Sequence, residues 1–279
     1  MATLLLGYDV ENGDPNSDVT RRFLEQAMRV HDAFEAPCTL FVCGTTLANN
    51  ADAFKAIAAR PDLFDIQSHT YSHCLLKTVC QDVDGEITIW RGGSPQKLRW
   101  EIKRSVELTR ELLGIEVKGI CGPWCYYRGL ADRPDILKIL HRSGIRFTRT
   151  WGRNEKDWQP VELSVQPFRY GPQGFGDMLE IPVHGWQDCI WRAEKGWSDT
   201  AGFMNYQCKL IDEAVNNDCV LSLCAHDWSS IKEDPEMTIA SGIVSHARKR
   251  GVRILSYKAY YEEAMSELDS EPIPSQPGC

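Results

Sequence analysis

Leu63-Phe64-Asp65-Ile66-Gln67-Ser68-His69-Thr70-Tyr71-Ser72-His73 runs from a short apolar stretch directly into two histidines four positions apart. A run of that length reads as a buried strand, and the polar residues after it as the loop that leaves its end. The same passage recurs along the chain. Strands are expected at Ala2 to Tyr8, Cys38 to Cys43, Phe64 to Gln67, Val117 to Ile120, Ile145 to Thr150, Leu179 to Val183, Val220 to Ala225 and Val252 to Leu255. Helical patterns separate them. The first follows Ser17 and carries Phe23, Ala27, Val30 and Phe34 on one stripe. Others span Ala51 to Ala59, Leu98 to Leu113, Pro134 to Arg142, Tyr206 to Val215, Met237 to Arg248 and Lys258 to Leu268.

Seven or eight βα units with apolar strands imply a parallel sheet with crossover helices, closed into a barrel rather than left open. An open doubly wound sheet is disfavoured because no glycine-rich phosphate loop follows the first strand. Two segments interrupt the rhythm. Thr78 to Gly93 reads as an insertion around the turn Asp82-Val83-Asp84-Gly85, and Trp151 to Gly176 as a long excursion. No linker or repeat divides the chain, so residues 1–269 form one domain. The proline-containing tail 270–279 is expected to be disordered.

On a βα barrel the chemistry gathers at the C-terminal ends of the strands. Asp9 and Glu11 end the first strand, and His69 the third. Pro123 and Trp124, then Trp151, then His184 and Trp186, and finally His226 with Asp227, follow later strands. His69 and His73 suit a divalent metal, zinc first and cobalt, nickel or iron as alternatives. Asp9 and Glu11 each offer a carboxylate as third ligand. Trp124, Trp151 and Trp186 offer stacking faces for a sugar-sized substrate, with Pro123 and His184 beside them.

The chain has 279 residues, 43% of them hydrophobic and 25% charged, as in an ordinary globular domain. The formal charge of -8 and the absence of a long Lys/Arg cluster exclude a nucleic-acid footprint. No apolar run reaches the ~20 residues of a membrane span. Met1 to Val10 lacks a basic segment of the signal-peptide kind. The 11 cysteines are odd in number, form no CxxC pair and sit mostly in apolar runs, as reduced thiols do. A cytoplasmic location is expected, with a homo-oligomer left open.

These motifs, in this order from Asp9 to His226, resemble the polysaccharide deacetylase family, the NodB-like carbohydrate esterases. Asp9-Val10-Glu11 is similar to the family's first motif, His69-Thr70-Tyr71-Ser72-His73 to its His-(Ser/Thr)-x-x-His motif, and Leu221 to His226 to its late strand ending in His. Gly122-Pro123-Trp124 and Leu179-Glu180-Ile181-Pro182 resemble the branch with peptidoglycan deacetylases and allantoinase-like proteins. The resemblance implies a distorted (β/α)7 barrel that hydrolyses an N-acyl amide, most simply by deacetylating an N-acetylated sugar. It also implies Asp9 as general base, His226 as general acid and Glu11, His69 and His73 as metal ligands, with a backbone N–H after Pro123 at the oxyanion.

The chain departs from the family pattern in three places. Glu11 stands where Asp is usual. The stretch Ile120 to Trp124 lacks the Arg that braces the base, leaving Arg128 or Arg149 as substitutes. The Asp that orients the acid is missing near Thr148 to Trp151, leaving Asp188 as a candidate. Two alternatives therefore stand beside deacetylation: opening of a cyclic amide or imide on the same barrel, and a non-catalytic carbohydrate-binding barrel.

Overall fold

The computed structural model describes residues 1–83 and 85–270. The tail expected to be disordered lies, from residue 271 on, outside the described residues. Strand β1 (Thr3–Val10) leads into helix α1 (Val19–Ala33), and β2 (Cys38–Val42) into the short α2 (Gly44–Asn49) and α3 (Ala51–Ala58). Strand β3 (Phe64–Ser68) ends at the histidine loop, and a hairpin of β4 (Val79–Val83) and β5 (Glu86–Trp90) follows. Next come α4 (Pro95–Leu113), β6 (Gly119–Tyr127), α5 (Pro134–Arg142) and β7 (Phe147–Arg153). The excursion returns through β8 (Phe168–Tyr170) and β9 (Phe175–Glu180) to α6 (Asp188–Lys195) and α7 (Thr200–Asn217). The chain continues with β10 (Val220–His226), α8 (Asp227–Lys232), α9 (Thr238–Lys249), β11 (Arg253–Leu255) and α10 (Tyr257–Ser270).

The strand order is β10-β1-β2-β3-β6-β7-β9-β8, with β11 pairing β1. All pairs on the path are parallel except β8 with β9. Every residue of β1 and β2 is buried, as strands covered by helices on one side and a filled interior on the other must be. Alternation along each strand sends Leu4, Leu6 and Tyr8 to the helix layer, while Leu5 joins Phe41, Phe147 and Tyr257 inside.

The ladder itself does not close between β9 and β10. Two side chains stand in for the missing strand pair. The Gln166 amide donates to Val220 O (3.0 Å) and accepts from Val220 N (2.9 Å), copying a peptide group. Two residues on, His184 N donates to Ser222 O (2.8 Å) and Ser222 N donates to His184 Nδ1 (3.0 Å). Nδ1 is thus the acceptor, so Nε2 carries the proton and donates to Val165 O (2.7 Å). Burial pushes the His184 pKa down to about 4, which keeps the ring neutral. His184, expected at the substrate, is therefore placed in the barrel seam with both nitrogens engaged by backbone. Replacing it with Leu strands a buried N–H and a carbonyl. We expect a loss of about 1–3 kcal/mol in denaturant unfolding, with ligand affinity unchanged.

Candidate functional site

The C-terminal ends of the strands surround a cavity of about 230 Å³. In-register pairing of Asp9 with His226 puts the end of β1 against the end of β10. Asp9 Oδ2 lies 3.9 Å from His69 Nε2 and 3.9 Å from His226 Nε2. Glu11 turns into the same space, its Oε2 2.8 Å from His73 Nε2 and 3.2 Å from His69 Nε2.

The two histidines converge because the loop after β3 is bent by left-handed residues at Thr70 (φ 61°) and His73 (φ 58°), not because it is helical. Buried Glu101 on α4 pins that loop, accepting from Tyr71 N (3.1 Å), Ser72 N (2.8 Å) and Ser72 Oγ (2.6 Å). His69 Nδ1 reaches Cys121 O at 3.2 Å, so its Nε2 lone pair is free to face Glu11. Trp228 Nε1 donates to Glu11 Oε1 (2.9 Å), and Asp227 accepts from Glu11 N (3.3 Å), Asn12 N (3.4 Å) and Thr20 Oγ1 (2.7 Å). Burial raises the Asp227 pKa to about 6 despite those donors. The ligand atoms of Glu11, His69 and His73 lie within 4.8 Å of one another. Two imidazole nitrogens, that of His69 with its tautomer set by Cys121 O, and one oriented carboxylate fit a divalent transition metal with open positions.

Both flanking groups are braced. The Arg149 guanidinium on β7, fully buried, donates to Asp9 Oδ1 and rests 4.4 Å above the Phe41 ring. Burial pushes the Asp9 pKa up, but the charges of Arg149, His69 and His226 together outweigh it, and the carboxyl stays below its ordinary value. Of the two bracing arginines open from sequence, the structure places Arg149 on Asp9. Asp188, at the start of α6, accepts from His226 through Nδ1 (2.6 Å) and the backbone N (3.0 Å). Burial opposes the His226 charge, yet the Cys189 sulfur and the Asp188 carboxylate raise its pKa well above the ordinary histidine value.

The third wall is a bulge. The β6–β7 register breaks between Cys121 and Tyr126, and Trp124 (φ 69°) and Cys125 (φ 52°) are both left-handed. Arg153 Nε holds this strained turn by donating to Trp124 O (3.0 Å) and Cys125 O (3.2 Å). Pro123 is buried inside the bulge, while Trp124 lines the cavity. The hairpin expected as an insertion closes one side: Trp90 packs on Trp124 with centroids 4.7 Å apart, and Gln81 reaches the cavity. Trp151 packs instead against Tyr127 and Phe168 and donates to Arg153 O (3.0 Å). Trp186 is half-buried and its carbonyl accepts from Gln207. Neither lies on the cavity wall, where Trp158, Gln159, Gln187, Cys189 and Trp228 stand. Those five were missed from sequence. Only Trp228, two residues beyond His226, carried a positional signal.

Residues 12–148 match the polysaccharide deacetylase family model. No curated protein matches the sequence significantly. Among solved structures, the chain is similar to a polysaccharide deacetylase from Mycobacterium smegmatis described as putative, with TM-score 0.68 and 17% identity, covering 100% of this chain and 95% of that one. It is also similar to PuuE allantoinase, with TM-score 0.71 and 14% identity, covering 95% and 90% of the two chains. A probable polysaccharide deacetylase from Pseudomonas aeruginosa PAO1 gives TM-score 0.70 and 12% identity, with 97% and 93% covered. At these identities the likeness is one of fold. Among the described residues no helix is long and apolar enough to cross a membrane, and the ten cysteines there are free.

Proposed function

We propose, on the match of residues 12–148 to the polysaccharide deacetylase family, that the protein hydrolyses a carbon–nitrogen amide bond, removing the acetyl group of an N-acetylated sugar. Glu11, His69 and His73 would hold one divalent transition metal, zinc in the first instance. Asp9 is the general base and His226 the general acid. One observation carries the reading: an ionised carboxylate and a histidine flank the ligand triad from one side, and each is held by an oppositely charged partner. A binding barrel has no use for two such braces.

When bound, the metal supplies Lewis acidity that lowers the pKa of a coordinated water and polarises the acyl oxygen. Asp9 Oδ2, with Oδ1 tied to Arg149, faces the cavity and accepts the water's proton. His226 Nε2, with Nδ1 tied to Asp188, faces the same space and protonates the departing amine. The bulge after Pro123 lifts its backbone off the ladder, so that an N–H there can receive the negative charge that develops on the acyl oxygen. Trp124 offers an apolar face to the sugar ring.

Trp228 matters indirectly, because it orients Glu11. Trp228→Phe removes that donor and keeps the ring. It should weaken metal affinity about 10- to 100-fold in a competitive chelator titration. The activity itself is tested by measuring acetate released from a panel of N-acetylated sugars by zinc-loaded protein, with cyclic imides and ureides assayed in parallel. Acetate release, lost in Glu11→Ala, is expected. A cavity of about 230 Å³, below the about 300–1,000 Å³ of pockets for drug-sized ligands, favours a single ring over a long polymer. It makes ring-opening of a small cyclic amide the second reading. Ring-opening without acetate would replace the first reading by the second, and neither product would overturn both.

A further inference from the structure

The wall across from the ligand triad carries soft donors that amide hydrolysis does not use. Cys189 Sγ lies 4.0 Å from His226 Nε2, and Asp9 Oδ2 lies 3.9 Å from the same nitrogen. Asp9, Cys189 and His226 all line the cavity. A second thiol, Cys224 Sγ, sits 3.7 Å from Asp9 Oδ2, and ligand atoms of Asp9, Cys224 and His226 fall within 4.8 Å of one another. We propose that Cys189 and His226, with Asp188 behind the imidazole, form a second cation site, separate from the Glu11–His69–His73 triad and selective for thiophilic ions such as cadmium or excess zinc. Its occupation would silence the acid.

The geometry suits a ligand pair. Zn–S and Zn–N bonds of about 2.3 and 2.0–2.1 Å sum to slightly more than the 4.0 Å between Cys189 Sγ and His226 Nε2, so one ion can bridge them. His226 is already oriented as a metal-binding histidine is, with Nδ1–H held by a carboxylate and Nε2 turned to the cavity. Ligand atoms of Asp188, Cys189 and His226 lie within 4.8 Å of one another. A sulfur beside an imidazole favours soft cations over magnesium or calcium, which take oxygen ligands. On binding, Cys189 gives up its thiol proton and His226 the proton on Nε2, both to solvent. The ion then occupies the His226 nitrogen that would otherwise carry the catalytic proton.

The test is a cadmium titration of zinc-loaded protein, followed in the ultraviolet for thiolate-to-metal charge transfer. A Cys80→Ser/Cys279→Ser background removes one exposed thiol and the C-terminal one. We expect one further equivalent to bind with a charge-transfer band. Cys189→Ser should lose that band while still holding its first metal equivalent, which also shows that the variant is folded. His73→Ala should keep the band although it has lost the first site, so failure of the triad reading and failure of this one give different patterns. No band in the parent, or an undiminished band in Cys189→Ser, overturns the proposal.

Discussion

Asp9→Asn should cost about 3–5 kcal/mol of folding stability as well as lowering kcat by about 10²- to 10⁴-fold. The reason lies beneath the proposed base. Arg149 is fully buried, and among the described residues its Nε and Nη1 have no hydrogen-bond partner. Besides the Asp9 carboxylate, the Cys121 sulfur at 2.9 Å and the Phe41 and Tyr257 rings attend it. Removing the carboxylate leaves a charge in the barrel interior with little to offset its lost hydration. Arg149→Met should be destabilising by a similar mechanism, with Asp9 then the uncompensated charge. The double variant Asp9→Asn/Arg149→Met removes both charges and should recover most of the stability, because an apolar replacement of a buried pair is often neutral. Activity should not return. Urea unfolding of the four proteins gives the coupling energy directly. Additive losses would mean that the pair is not the coupled unit described above.

Asp188→Asn should shift the pH dependence of catalysis. As the proposed general acid, His226 would act protonated, so activity should fall as pH rises through its pKa in the complex. Burial alone would bring that pKa down. The Cys189 sulfur and the Asp188 carboxylate raise it well above the ordinary value, which keeps the acid form present at neutral pH. Taking away the carboxylate 2.6 Å from Nδ1 removes an opposite charge, an effect on the order of 1–3 pH units. The alkaline limb of kcat should therefore move to lower pH by about that much, with a loss of about 10²- to 10⁴-fold above it. Cys189→Ser provides the contrast. Burial raises the Cys189 thiol pKa, so at neutral pH the sulfur is a neutral thiol and not the thiolate that adds to the His226 shift, and its removal should move the limb less than loss of the Asp188 carboxylate does. An unmoved limb in Asp188→Asn would deny His226 the role of acid.

The parts of this site that could be read from sequence are those with local spacing. His69 and His73 advertise themselves at four-residue separation, and the strand-to-loop rhythm puts Asp9, Glu11 and His226 at one end of the barrel. The braces are different. Arg149 is 140 residues from Asp9, and Asp188 is 38 from His226. Sequence could name both as candidates but could not choose, because the choice depends on strand register. Position after a strand also says nothing about direction. His184 follows β9 as His226 ends β10, yet the open ladder needs a donor and an acceptor beside Ser222, and the ring turns into the seam. Trp151 is drawn to Tyr127 and Phe168 by the return of the chain through β8, a packing partner that periodicity does not reveal. The element boundaries moved for similar reasons. Strand β6 runs on to Tyr127 because a bulge, invisible to pattern, carries it past Pro123.

The measurement that tests the central claim most directly is metal content per chain, by elemental analysis after dialysis into metal-free buffer, with His73→Ala alongside. The account predicts about one tightly held transition-metal equivalent in the parent protein and little in the variant. No metal retained by either protein, even after zinc, cobalt and nickel have each been offered, would contradict it.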